Sequence, residues 1–135
     1  MSKKNQAGVE YMIIIGFVTL AVLSILALST IYSNQTKDKI RLNQVESFGN
    51  QLINNAETVF FSGEPSEVTV NLYIPDGVSK IEIISNSLVM TTRTSSGTNI
   101  MSFDSMVPIQ NVILSPTEGI KSLSIKAREE YVVIG

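Results

Sequence analysis

The stretch from Tyr11 to Tyr32, YMIIIGFVTLAVLSILALSTIY, decides the fold that this chain can adopt. Its 22 residues carry no charge, and the next charged residue is Lys37. A helix needs about 20 apolar residues to cross the hydrocarbon core of a bilayer. A helix also pairs its backbone polar groups internally, as lipid requires. The stretch therefore predicts a membrane-spanning helix.

A secretory signal peptide is the alternative interpretation of this apolar stretch. Such peptides have an apolar region of about 7–15 residues, followed by a small-residue cleavage site. The stretch here is longer, and no Ala-x-Ala site follows it. We therefore predict that the helix is retained.

The helical pattern continues past the apolar stretch, but from Asn34 to Phe61 it becomes amphipathic. Apolar residues at steps of three and four form one stripe: Leu42, Val45, Gly49, Leu52, Ala56 and Val59. This spacing is typical of a helix with one buried face, which we expect to pack on the chain's own second domain. Polar residues are assigned to the other face: Lys39, Arg41, Asn43, Glu46, Asn50, Asn54 and Glu57. We predict one helix over 6–61, with 11–32 spanning the membrane and 34–61 amphipathic.

The sequence pattern changes to strands after Ser62-Gly63-Glu64-Pro65, where Gly and Pro are helix stop signals. From Val68 to Ile74 apolar and polar residues alternate, as in a half-buried strand, and Pro75-Asp76-Gly77 predicts a turn. Further strands are predicted over 80–85, 88–94, 98–103, 120–127 and 131–134. The segment 107–114 is less regular, and Pro108 favours a sheet edge there. The fold class is α+β, with a small antiparallel all-β domain over 66–135.

Composition excludes several classes of function. The chain has no Cys and no His, which removes thiol nucleophiles, imidazole and thiolate metal sites and the Ser-His-Asp arrangement. The net charge of −2 argues against nucleic acid. No pair of acidic residues has a catalytic spacing, so we predict no enzymatic activity, no metal and no cofactor. The hydroxyl-rich stretch from Thr91 to Ser96 is expected to lie exposed on a strand and turn.

The head of the helix carries the most specific motif. A short basic segment, residues 1–5 with Lys3 and Lys4, precedes the residues Gln6, Gly8, Glu10 and Ile14. Here the chain resembles archaeal type IV pilins with a class III (prepilin-type) signal sequence, whose pattern is Gln-x-Ser-x-Glu-x-x-x-Leu with cleavage before the Gln. Gln and Glu match outright, whereas Gly8 replaces Ser and Ile14 replaces Leu. Asn5 stands where the family usually has Gly or Ala before the cut.

The resemblance implies a processing step and a layout. A prepilin peptidase would remove the leader, residues 1–5, on the cytoplasmic side and recognise Asn5, Gln6, Gly8 and Glu10. The layout is a pilin-like lollipop, in which the N-terminal helix serves first as a membrane anchor and later as the filament core. Lys3 and Lys4 precede the apolar stretch while Lys37, Lys39 and Arg41 follow it, so charge alone leaves the orientation balanced. The resemblance favours an external C-terminus.

Two interpretations of Glu10 stay open. A carboxylate at the edge of an apolar span costs a few kcal/mol in lipid. The freed N-terminal amine of a neighbouring subunit would compensate it, which makes Glu10 an assembly contact. Alternatively, an acid in the first turn of a helix complements the positive helix end, worth about 0.3–1 kcal/mol.

The resemblance implies a structural function: a subunit of a surface filament, a helical homopolymer used for adhesion. Its partners would be further copies of the chain, the prepilin peptidase, and an assembly ATPase with its membrane platform. The precursor would lie in the membrane and the assembled subunit outside the cell. The alternative is a membrane-anchored module that never polymerises, such as a minor pilin or a stator-like component of a filament motor. Asn34-Gln35-Thr36 is also an acceptor pattern for N-glycosylation at Asn34.

Overall fold

The computed structural model describes the backbone of residues 3–135 and the side chains from Gln6 onward. Helix α1 spans Lys3–Ser62, and within the described residues seven strands follow it. These are β1 Glu67–Ile74, β2 Val78–Ile84, β3 Ser87–Thr94, β4 Gly97–Asp104, β5 Val112–Leu114, β6 Gly119–Ala127 and β7 Val132–Ile134. The predicted α+β class, a long apolar N-terminal helix followed by a small antiparallel β-domain, is confirmed.

The chain divides into two compact units between Lys37 and Asp38. The described part of the first unit is helical throughout, and the second unit holds the rest of α1 together with the strands. Because α1 begins at Lys3, helical backbone extends upstream of the predicted cleavage site before Gln6. The first two residues of the predicted leader lie outside the described residues.

The strands form two antiparallel sheets. One has the order β1-β6-β7 and the other the order β4-β3-β2-β5. Each predicted strand segment overlaps an observed strand, with bounds that differ by one or two residues. The irregular segment 107–114 contains only the short β5, which forms an edge of the four-stranded sheet as expected. The loop before β5 is held by a parallel bridge between Ile109 and Val132.

The end of α1 has a local cause. Gly63 adopts a positive φ of 77°, a conformation that glycine adopts without steric cost and that commonly terminates helices. Its amide donates to the carbonyl of Phe60 at 3.0 Å, and its own carbonyl accepts from Ser66 at 2.9 Å. The chain thereby leaves the helix and enters β1.

The apolar stripe of α1 is part of the domain core, as predicted. Val45, Leu52 and Ala56 are fully buried in one cluster with residues of both sheets. From the three-stranded sheet come Leu72, Ile74, Ile125 and Val132, and from the four-stranded sheet Ile81, Ile83, Leu88 and Met90. The second unit therefore folds around its own segment of α1.

Gly49 permits a close approach of α1 to strand β4. A Cβ atom at this position would lie 2.4 Å from the ring of Phe103, where atoms cannot overlap. Phe103 is half-buried and packs against the core. The sequence pattern placed Gly49 on the buried stripe. Only the structure shows that Phe103 occupies the space into which a side chain at this position would extend.

We expect Gly49→Ala to destabilise the domain by about 1–2 kcal/mol. Overpacking of a filled core costs about 1–3 kcal/mol, and the better helix propensity of Ala returns up to about 1 kcal/mol. Thermal unfolding of the full chain in detergent micelles measures the difference. Gly16→Ala is the matched control, because nothing lies within 4 Å of the added Cβ. Equal or higher stability of Gly49→Ala would contradict the packing described.

The expectation that Thr91 to Ser96 lies exposed is wrong at Thr92. Thr92 lies on β3, its exposed fraction is 0%, and its side chain points into the core. Its Oγ1 finds no hydrogen-bond partner among the described residues. A run of hydroxyl residues conceals the alternation of a strand, in which every second residue faces inward.

Thr92→Val is expected to raise the free energy of unfolding by about 1 kcal/mol. The substitution keeps the shape of the side chain and removes a buried hydroxyl without a partner, and such groups cost about 1–3 kcal/mol. Chemical denaturation in micelles measures the gain. The exposed residue Thr98 provides the control, because Thr98→Val changes the same atoms in contact with water. A loss of stability specific to Thr92→Val would show that the hydroxyl has a partner.

Candidate functional site

The apolar span, defined here as Tyr11–Tyr32, is the most unusual surface of the molecule. α1 contains an 18-residue window with a mean hydropathy of 2.6, none of which is buried within the chain. Val18 and Leu20, which point to nearly opposite sides of the helix, are 53% and 64% exposed. A helix that is apolar all round is stable only inside an apolar environment. By length and composition α1 is able to cross a membrane.

Two hydroxyl groups within the apolar span are satisfied inside the helix. The hydroxyl of Ser24 donates to the carbonyl of Leu20 at 2.8 Å, and that of Thr30 donates to the carbonyl of Leu26 at 3.0 Å. Both bonds return to the preceding turn, so these hydroxyls need no external partner. Tyr11 and Tyr32 close the span at either end and are strongly exposed. Tyrosine is enriched where a helix leaves the hydrocarbon for the headgroup layer.

Glu10 stands immediately before the apolar span and is exposed. Among the side chains described from Gln6 onward, it has no salt-bridge partner. α1 has no acidic residue in its first turn, because the helix begins at Lys3. The helix-end interpretation of Glu10, which places it in the first turn, is therefore wrong for the uncut chain.

The other predicted processing residues lie just before Glu10 on the same helix. Gln6 and Gly8 are exposed, and nothing lies within 4 Å of a Cβ added at Gly8. The side chain of Asn5 lies outside the described residues. Asn34 is exposed within α1, and the Thr36 hydroxyl of its acceptor pattern donates to the Tyr32 carbonyl at 2.9 Å. Processing and glycosylation stay predictions.

A polar cluster fixes α1 to the β-domain at the start of the second unit. The guanidinium of Arg41 forms a two-bond ion pair with Asp76 in the β1–β2 turn, with Nε and Oδ1 3.1 Å apart. A further nitrogen, Nη1, donates to Asp38 Oδ1 at 3.0 Å. The second oxygen of Asp38 accepts from the amide of Ser95 at 2.9 Å and from its hydroxyl. We call these four residues the Arg41 cluster.

The Arg41 cluster joins three segments of chain: α1, the β1–β2 turn and the β3–β4 turn. Gly77, next to Asp76, has a φ of 80°, and a Cβ there would meet Arg41 Nε at 3.0 Å. The predicted turn is thus confirmed, with its glycine required both by φ and by the approach of Arg41. The assignment of Arg41 to the solvent face is wrong, because its side chain is only 18% exposed.

One signal in the sequence pointed to the Arg41 cluster. Asp38 and Arg41 are three residues apart, a spacing that brings opposite charges together on a helix. Asp76 lies 35 residues away from Arg41 along the chain. Only the folded β1–β2 turn brings it there, so its role was not readable from local spacing.

Three carboxylates of the domain, Asp38, Asp76 and Glu67, are stabilised in their charged form, because hydrogen bonds and neighbouring cations lower the pKa of each. Hydrogen bonds from the Ser95 hydroxyl and amide lower the pKa of Asp38, and Arg41 lowers it further. The hydrogen bonds from Arg41 lower the pKa of Asp76. Across the sheet pair β1–β6, the Ser124 hydroxyl and the Lys126 ammonium lower the pKa of Glu67.

These shifts predict loss of stability in acid. A carboxyl whose pKa is lower when folded stabilises the fold above its unfolded pKa, about 4. That contribution disappears as pH falls through the folded value. We expect the thermal midpoint to be level from pH 7 to about 5 and to fall below about 4. In Asp76→Asn the thermal midpoint should fall less steeply with acid. In Glu118→Gln, which changes an exposed residue, it should fall as steeply as in the unaltered chain. Equal slopes in both variants would contradict this assignment.

Comparison of the chain with protein-family models, curated proteins and solved structures finds no match. Within the described residues, no group of three or more acidic side chains is placed to hold a metal ion.

Proposed function

We propose that this chain is a structural subunit of an archaeal type IV pilus-like surface filament that serves in attachment. The observation that carries the proposal is the apolar span, exposed on all sides and continuous in sequence with the segment around which the β-domain folds. An anchor meets lipid on every side. The apolar span of a filament subunit is surrounded by lipid before assembly and by the apolar spans of other copies after assembly. Both environments are apolar.

The proposed assembly contact is Glu10. In a filament core its carboxylate would be removed from water, and an unpaired charge there is penalised by about 3–5 kcal/mol. The N-terminal amine that cleavage creates on Gln6 of a neighbouring copy is the counter-charge that the head of the helix offers. The pair would fix the axial register between copies.

The proposed partners follow from this sequence of steps. A prepilin peptidase would cut before Gln6, and an ATP-driven assembly machine with its membrane platform would lift the subunit out of the bilayer. The β-domain would form the outer layer, because its own core is already complete without the apolar span. The assembled subunit would then lie on the cell surface.

The alternative is an anchored module that does not polymerise, such as a minor pilin or a stator-like component. It requires lipid around the apolar span permanently and gives Glu10 no partner. It also requires no removal of the leader. These differences make the two functions separable in one experiment.

The test is to fractionate surface filaments and membranes from a source strain and to measure the intact mass of the chain in each. The proposal predicts a chain that begins at Gln6 and is abundant in sheared filaments. A chain that begins at Met1, present in membranes and missing from filaments, would establish the anchored module instead.

A further inference from the structure

The strands of the β-domain run between two ends, and the domain's segment of α1 passes from one end to the other. At the first end, the Arg41 cluster joins the start of that segment to the β1–β2 and β3–β4 turns. We call this the Asp38 end. The loop between β5 and β6 lies there too, because Gly119 at the start of β6 pairs with Ile74 at the end of β1.

The opposite end of the domain, called here the Ser62 end, contains the last turn of α1. Arg128 Nη1, which follows β6, lies 3.5 Å from Glu64 Oε1, just after α1. The amide of Met106 donates to Glu57 Oε1 at 2.9 Å. Because β4 ends at Asp104, two residues before Met106, this bond places the end of β4 beside the last turns of α1.

Cations without an ion-pair partner are located at the Asp38 end. In the described part of the β-domain they are Lys39, Arg93 and Lys121. Lys39 and Arg93 are exposed, and Lys121 is half-buried. Arg93 is the last residue but one of β3, and Lys121 is the third residue of β6. Beside the Arg41 cluster, this end also contains the exposed acid Glu118.

Acidic residues without an ion-pair partner are mostly located at the Ser62 end. Those that form no salt bridge among the described residues of this end are Glu57, Asp104, Glu129 and Glu130. The cations of the same end, Lys126 and Arg128, are already paired with Glu67 and Glu64. The Ser62 end therefore has an excess of negative charge.

The two signs of unpaired charge are thus separated along the domain. Charges of both signs are usually interspersed on a protein surface. Here the two ends are about 25 Å apart, the length of an eight-residue strand such as β4. Exposed charges that are more than about 8 Å apart are largely screened in physiological salt. One end therefore does not neutralise the other within a copy, but each is complementary to the opposite end of a second copy.

We propose that the Asp38 end of one copy docks against the Ser62 end of the next copy along the filament. The inference rests on the proposed filament function and adds a contact between β-domains to the contact between apolar spans. Copies that enter the membrane in one orientation keep that direction in a filament, so successive copies along α1 present unlike ends to each other. A contact between two different surfaces repeats without closing, as a filament requires.

A second copy is the occupant that accounts for the charge of both ends. Anionic lipid headgroups would attract the cations of the Asp38 end, but they would give the acids of the Ser62 end no partner. Complementary charge selects partners and fixes register more than it adds affinity. The apolar span drives association, and the two ends determine how far one copy is displaced from the next.

Reversal of charge at each end tests the contact. We would express full-length Lys39→Glu with Arg93→Glu, Glu129→Lys with Glu130→Lys, and a chain with all four substitutions, each in place of the unaltered chain in a source strain. Each pair alone should give about tenfold fewer filaments per cell, because like charges then face each other at every contact. The chain with all four should regain at least about half of the filaments, because its ends are complementary again. Electron microscopy counts the filaments.

Glu46→Lys is the control, because it reverses an exposed charge on α1 between the two ends. We expect normal filaments from it. Thermal unfolding in micelles and the mass of the mature N-terminus verify that each variant is folded and processed. If a reversal unfolds the domain, the substitution of Gln for the same residues replaces it, with a smaller loss of filaments expected at each end.

The outcomes separate the two proposals. Fewer filaments from both pairs, with recovery in the chain that has all four substitutions, support the contact between copies. A loss from the Asp38 end alone, without recovery, overturns a second copy as the occupant and favours anionic lipid. Normal filaments from both pairs, or losses from both without recovery, overturn the contact and leave the filament function standing. If the unaltered chain forms no filaments, the filament function fails, and this contact fails with it.

Discussion

Cells that express Glu10→Gln are expected to retain the chain in their membranes and to carry no filaments that contain it. The apolar span is unchanged by the substitution, so insertion proceeds. The variant lacks the charge that would pair with the N-terminal amine of a neighbouring copy. That amine would then be buried without a counter-charge, at a cost of about 3–5 kcal/mol for each contact. Because a filament repeats the contact at every subunit, the expected loss of assembly is complete.

Immunoelectron microscopy and membrane fractionation measure the two parts of this result. Glu118→Gln removes a carboxylate from the exposed surface of the β-domain and is the matched control, with normal filaments expected. The mature N-terminus of the Glu10→Gln chain is measured as well, because Glu10 also lies in the predicted processing motif. Loss of filaments with normal cleavage assigns the effect to assembly. Normal filaments from Glu10→Gln would remove the proposed assembly contact.

Phe48→Ala is expected to destabilise the β-domain by about 3–5 kcal/mol, the usual cost of deleting a buried phenylalanine. Phe48 lies on the part of α1 that belongs to the domain core, and its side chain is 2% exposed. The cavity would open between α1 and the strands. Since domains of this size have only about 5–15 kcal/mol of stability, much of the fold would be lost.

The same helix provides the control for this substitution. Phe61 is 73% exposed, so Phe61→Ala is expected to change stability by less than about 0.5 kcal/mol. Chemical denaturation of both full-length variants in micelles gives the two values. Similar effects at Phe48 and Phe61 would mean that α1 does not form part of the core.

The helical half of the fold could be predicted from sequence because its signals are local. An uncharged run predicts a spanning helix from length alone, and the stripe containing Leu52 and Ala56 predicts a buried face from spacing alone. Both features follow from the helical repeat, which sequence displays directly. The strands were located for the same reason, because alternation and Gly or Pro turns are also local.

The contacts that join these elements could not be predicted. Asp76 reaches Arg41 only once β1 and its turn have formed, and Phe103 occupies the space beside Gly49 only once β4 is in place. Thr92 was misassigned because its hydroxyl suggested solvent while its position on β3 points it inward. Pairing and register between distant segments determine these features, and no local pattern encodes them.

The candidate site divides in the same way. The apolar span and the motif around Glu10 were readable because they lie on one continuous helix. The Arg41 cluster required the structure, since Arg41 was recognised only as part of the polar side of an amphipathic helix.

The most direct measurement is electron cryo-microscopy of sheared surface filaments from a source strain. We expect filaments built of this chain, with Tyr11–Tyr32 of every copy buried among the same span of its neighbours and Glu10 beside an N-terminal amine. Filaments that lack this chain, with the chain itself found singly in membranes and its apolar span surrounded by lipid, would rule out the filament function.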